Sequence, residues 1–162
     1  DEQAEQQMGA VIEVVRAVRN VRSEMNISPK VALTLGLGKG PAAAVVKDNE
    51  ALVLRLAGLG NVEYSGVTEA GSATAVAAAT EVSIPVAGHV DIAAEATRLK
   101  KQLARLDKEI GRISKKLDDP AFLDKAPEDI VVRERDKHAE TVGERETLAR
   151  SLARVESIGA SH

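Results

Sequence analysis

The sequence predicts an α+β protein: an N-terminal helix, a small four-stranded, mainly antiparallel sheet with helices, and a long antiparallel two-helix coiled coil. Three observations carry this. Ile92, Ala96, Leu99, Leu103, Leu106, Ile110, Ile113 and Leu117 alternate in steps of four and three, the apolar seam of a coiled coil. Val31–Leu37 and Val82–Val86 alternate apolar with small or polar residues, the period of a half-buried strand. Met8, Val11, Ile12, Val15, Val18 and Met25 fall on one side of a helix. The organisation that follows is 1–29 for the first helix, 30–90 for the α/β segment and 91–158 for the coiled coil.

Composition removes several function classes. The 162 residues are 44% hydrophobic but only 1% aromatic, so the core must be aliphatic. With Tyr64 and Phe122 as the only Phe, Tyr or Trp side chains, a base-stacking platform for single strands is excluded. The absence of cysteine removes disulfides and thiolate chemistry and is compatible with the cytoplasm. No apolar run approaches the ~20 residues of a membrane span. The start, Asp1-Glu2-Gln3, has neither an initiating Met nor a signal-peptide pattern, and reads as a piece cut from a longer cytoplasmic chain.

The first helix is expected over 2–25. Arg16, Arg19 and Arg22 recur every three residues beside its apolar stripe, a candidate set of contacts to a polyanion. Alone, this helix cannot bury that stripe, so it is expected to find another partner, a second copy included, or to fray. Asn26-Ile27-Ser28-Pro29 stops it, and a strand follows over 31–37. Gly36, Gly38 and Gly40 lack the spacing of either nucleotide-binding glycine pattern and read as a flexible turn. Short helices over 42–47 and 50–56 come next, the second closed by Gly58 or Gly60. Strands are expected over 61–65, 73–79 and 81–86, with a loop over 66–72.

Asp91 is a candidate N-cap for the first coiled-coil helix. The ring of Pro120 disfavours helix at the residue before it, so that helix stops near Asp118. Ala126-Pro127-Glu128-Asp129 opens the second, with proline at the first position and acids in the first turn. The connection is short, so the helices must run antiparallel. The second seam is Val131, Glu134, His138, Thr141, Arg145, Leu148, Leu152 and Val155; its middle is polar, and Gly143 costs about 1 kcal/mol relative to Ala, so loose packing is expected there. His138 has no second ligand at helical spacing and reads as a half-buried packing residue rather than a metal ligand.

The outward positions of the first coiled-coil helix carry the functional signal. Arg98, Arg105 and Arg112 share one heptad position, and Lys101, Lys108 and Lys115 the neighbouring one. Thr97, Ala104 and Gly111 beside them are small. Over 92–117, eight basic residues face three acidic ones in a chain of formal net charge −3. A solvated helix face normally mixes signs. A purely cationic row points to a polyanion, most simply a nucleic-acid backbone. No catalytic triad, metal-ligand cluster or phosphate loop stands out, so this piece is expected to bind and not to catalyse. A second class remains open: the polar second seam suits a protein-interaction or oligomerisation coiled coil.

The run Val11–Pro29, with Arg19, Arg22, Glu24, Asn26 and Pro29 in an R-x-x-R-x-E-x-N-x-x-P pattern, resembles the closing helix of the anticodon-binding domain of bacterial valyl-tRNA synthetases. Val82–Leu103 resembles the passage from that family's last strand into its C-terminal arm, and Lys116–Arg135, with Phe122 and Lys125-Ala126-Pro127, the tip of the arm. The resemblance implies the end of an anticodon-binding bundle at 1–29, a small α/β linker, and a coiled-coil arm that reaches the elbow of the L-shaped tRNA. It implies a valine-accepting tRNA as partner, the six cations of the arm as RNA contacts, and Arg16, Arg19 and Arg22 as candidate contacts from the bundle. ATP and magnesium would serve the parent's catalytic core, with no cofactor in this segment. The second seam departs from the family, which is richer in Leu there.

Overall fold

The structure, a computed structural model, describes residues 1–66 and 69–160. Val67 and Thr68, within the loop expected over 66–72, lie outside the described residues. The elements are α1 (Glu2–Met25), β1 (Leu33–Leu37), α2 (Pro41–Asp48), α3 (Glu50–Ala57), β2 (Leu59–Glu63), β3 (Ser72–Ala77), β4 (Thr80–Pro85), α4 (Ile92–Leu117), α5 (Pro120–Lys125) and α6 (Glu128–Ala160). The chain forms two compact units, one of Asp1–Ile92 with Glu156–His162 and one of Ala93–Val155.

In the first unit the strands lie in the order β2-β1-β4-β3. β1 and β2 pair in parallel, joined by α2 and α3 as the crossover; β1–β4 and β3–β4 are antiparallel. The register sets Leu37 opposite Val82. Leu33, Leu35, Leu37, Val82, Ile84 and Val86 are all at most 1% exposed. Over them lies α1, which touches α2, α3, β3 and β4 and buries Val11, Val14, Val15, Val18, Val21 and Met25. The expectation that α1 needs an outside partner therefore falls. Its stripe is covered within its own unit, which also joins 1–29 to 30–90. Only Met8 and Ile12, at its N-terminal half, stay exposed.

With no large ring in the buried core, close packing is reached through small residues at crossings. Gly40, before α2, offers the helix no side-chain cap. Thr80 does so from across the sheet: its buried hydroxyl accepts from the Ala42 amide at 3.0 Å and donates to the Ala78 carbonyl at 3.1 Å. A Cβ on Gly40 would come 2.9 Å from the Thr80 Cβ and 3.0 Å from the Ala79 carbonyl. Gly36 lies buried within β1, and Gly38 donates to the Glu81 carbonyl at 2.9 Å. The glycine run is thus a packed strand exit, where a flexible turn had been expected. Gly58 sits at φ 67 and closes α3, as its position suggested. Because it turns the chain at once, β2 begins at Leu59, two residues before its expected start.

The β3–β4 hairpin turns through Ala78 and Ala79, with φ 47 and 54, where a strand to 79 was expected. Two left-handed residues in a two-residue loop match the twist of the flanking strands. An L-residue there costs about 1–2 kcal/mol. Glu13 of α1 offsets part of this by accepting from the Ala78 amide at 2.6 Å.

The second unit is the hairpin. α4 ends at Leu117, as expected. Pro120, read as a helix stop, also starts a helix: Asp119 caps the Ala121 amide at 3.0 Å, and Pro120 occupies the first turn of α5. α6 begins at Glu128 and reaches Ala160.

Ala79→Gly should raise stability by about 1 kcal/mol by relieving the left-handed strain. Urea unfolding followed by circular dichroism measures it; an unchanged or lower midpoint contradicts the turn strain.

Candidate nucleic-acid interface

Both predicted seams face inward. On α4, Leu99, Leu106 and Ile113 are at most 5% exposed, and every residue of the α6 seam is buried or half-buried. Side chains that meet across the hairpin pair the middle of α4 with the later part of α6 and the end of α4 with its start, Asp107 with Arg145, Glu109 with Lys137, Ser114 with His138 and Lys116 with Glu134, which is the antiparallel arrangement. The polar middle of the α6 seam is therefore satisfied. His138 Nε2 and the Ser114 hydroxyl share a hydrogen bond of 2.9 Å, Arg145 forks onto Asp107, and Glu134 lies 3.5 Å from Lys116 Nζ. Lys116 also sits 5.4 Å above the Phe122 ring at the hairpin's end. Arg145 is held more firmly protonated by its hydrogen bond to Asp107.

These pairs decide the charge of the outer face. The three acids of α4 occupy heptad positions flanking the seam, and each is taken up: Glu95 by Arg98, Asp107 by Arg145, Glu109 by Lys137. Glu95 is itself 8% exposed and receives two bonds from Arg98, one of 3.0 Å to Nε, which raises the arginine's pKa. Arg98 is thus held by its own helix. Lys101, Arg105, Lys108, Arg112 and Lys115 are exposed, and among the described residues none of them has an ion-pair partner.

Successive cations from Arg98 to Lys115 rise by about 4.5 or 6 Å over a length of roughly 25 Å. Their arc is about 100° wide. The spacing is shorter than the ~8 Å screening length at physiological salt, so their fields add. Like charges three and four residues apart oppose the helix by roughly 0.2–0.5 kcal/mol each. Burial of Leu99, Leu106 and Ile113 contributes about 1.5–3 kcal/mol per side chain and outweighs this. α6 shows no such row: six basic and eight acidic residues mix along it.

The arginines of α1 separate. Arg16 and Arg19 are exposed, Arg19 donating to the Leu56 carbonyl at 3.1 Å. Arg22 is 7% exposed and donates five hydrogen bonds, 2.6 to 3.3 Å long, to the carbonyls of Ser28, Val31, Ala57 and Gly58. It ties α1 to the end of α3, and its guanidinium is committed there, so it leaves the set of candidate direct contacts. Among the described residues, no three metal-ligating side chains cluster, and no helix is long and apolar enough to cross a membrane.

Residues 91–156 match the family described as the valyl tRNA synthetase tRNA binding arm. Over 156 residues, 94% of the chain, the sequence is 35% identical to a valine–tRNA ligase of Geobacter sulfurreducens, of which the match covers 18%. A valine–tRNA ligase of Caulobacter vibrioides is 36% identical over 98% of the chain and 18% of its own length. One of Mesorhizobium japonicum is 34% identical over 98% and 17%. The chain thus spans less than a fifth of the relatives it matches.

Replacing Lys137 and Arg145 by Gln frees Glu109 and Asp107 beside the cationic row. The double variant should leave a heparin column at clearly lower salt than Arg133→Gln/Arg135→Gln, which removes the same charge from exposed positions on the same helix. Equal elution of the two would show that the pairs do not shape the field.

Proposed function

The chain belongs to the valyl-tRNA synthetase family and carries its arm, and from that premise we propose that the outer face of α4 grips the sugar–phosphate backbone of tRNA at the elbow. The observation that carries this is the charge separation within α4. Its acids are paired away, and five cations stay exposed and unopposed.

Arg105 and Arg112 present planar donor forks that suit two oxygens of one phosphate. Lys101, Lys108 and Lys115 add mobile point charges between them. Gly111 and Ala104, beside the arginines, leave room for a backbone to come close. Such contacts read no bases; they fix position and speed encounter. Their contribution to the parent enzyme is binding energy for the body of a valine-accepting tRNA, whose acceptor end reacts elsewhere. Aminoacylation, with its ATP and magnesium, belongs to the parent's catalytic core in the cytoplasm, and this segment supplies no reacting group. The competing idea of a hairpin waiting for a partner helix drew on its polar seam, and those side chains already have partners within the hairpin.

Arg105→Glu/Arg112→Glu should lower tRNA affinity by about 100-fold near physiological salt and reduce the slope of log affinity against log salt by about 2 or more, with helicity unchanged. Fluorescence anisotropy with labelled tRNA over a salt series reads both. An unchanged slope would remove the α4 face as the RNA contact.

A further inference from the structure

Resting on the RNA-binding reading above, we propose that a cleft between the C-terminal ends of α1 and α3 is a second phosphate site, taking a phosphodiester of the same RNA. The cleft has a volume of about 600 Å³ and is lined by Arg19, Arg22 and Arg55 together with Ser23 and Asn26. No acidic side chain lines it among the described residues.

Arg22 forms part of its wall as a desolvated cation that donates to backbone carbonyls, and burial lowers its pKa accordingly. The carbonyl ends of α1 and α3 each supply roughly half a negative charge, about one together. Three full positive charges line the cleft, so it keeps a positive surplus that an anion would relieve. Arg19 and Arg55 are exposed, and each can turn donors to an incoming oxygen. Arg22 acts through them: by holding the end of α3 against α1, it fixes the separation of the other two.

A phosphate group can come from a nucleic-acid backbone or from free phosphate. The row favours the backbone. Arg16, also exposed, continues the line one turn from Arg19, a rise of about 4.5 Å. A smaller hollow of about 290 Å³ adjoins the cleft, shares Arg19 and Leu56 with it, and is walled by Met8 and Ile12. A strand can lay successive phosphates along the arginines with its less polar parts over that hollow. A lone phosphate ion would use one end only.

The test uses the whole chain with the α4 face intact. Arg55→Glu should lower tRNA affinity about fivefold to tenfold and reduce the salt slope by about 1, and Arg55→Lys should retain most of the binding. Arg19→Gln should show a smaller loss in the same direction. Circular dichroism checks that each variant folds. Unchanged tRNA affinity and slope in Arg55→Glu, with the α4 reversal still disabling, overturns the cleft and leaves the arm standing. Loss in Arg55→Glu with an ineffective α4 reversal supports the cleft and removes the arm. Inorganic phosphate, titrated while arginine side-chain NMR signals are followed, separates the sources. Phosphate binding abolished by Arg55→Glu, with tRNA affinity untouched, would assign the cleft to free phosphate and overturn the RNA assignment.

Discussion

The hairpin depends on where its acids go. A helix with eight basic residues and three acidic ones repels itself along its outer face. Glu95, Asp107 and Glu109 could have been spread over that face and quenched it. They sit beside the seam instead, where α6 supplies Arg145 and Lys137, and Arg98 closes over Glu95. One set of contacts therefore does two things. It adds polar registration to a seam that on α6 has no aliphatic residue between Val131 and Leu148, and it leaves the opposite side of α4 purely positive. Such exposed pairs are weak individually, so packing of Leu99, Leu106 and Ile113 must hold the helices while the pairs set their offset.

The first unit solves a different problem. A sheet with no aromatic ring in its core has little area per side chain to bury, so it needs close approach. Gly40 lets Thr80 reach the start of α2, Glu13 pins the turn that follows β3, and Arg22 gathers four carbonyls from the two segments that follow α1 and end α3. Each is a polar bond from one element to the backbone of another. Tyr64 adds a side-chain bond, donating to the Glu50 carboxylate at the start of α3, and burial and that carboxylate both raise its pKa. α1 enters this network through Glu13 at its middle and Arg22 near its C-terminal end, beside the valines that it buries in the unit.

Much of this was legible in the residues. The four-three spacing of Ile92 to Leu117 fixed the α4 seam, and with it the outward cations, because heptad position alone determines facing. The partners of the polar α6 seam were not legible, since spacing within one helix does not say which rung of the other helix lies opposite. Arg16, Arg19 and Arg22 looked like one strip at spacing three. Each such step turns about 60° around the axis. Arg22 therefore lies about 120° from Arg16, between Val11 and Val15 on the buried side, a displacement that counting around the helix would have revealed. Asp119-Pro120 was read as an ending, although a capping acid before proline is equally a beginning, and α5 followed. The Ala78–Ala79 turn gave no local sign, because neither residue prefers φ > 0; tertiary contact from Glu13 imposes it.

Lysine acetylation footprinting, with and without tRNA, addresses the charge separation most directly. Lys101, Lys108 and Lys115 should react freely in the protein alone and become protected in the complex, while Lys137, paired with Glu109, should change little. Protection spread evenly over lysines of both helices, or none at the three outward positions, would contradict a cationic face set free by the pairing of its neighbouring acids.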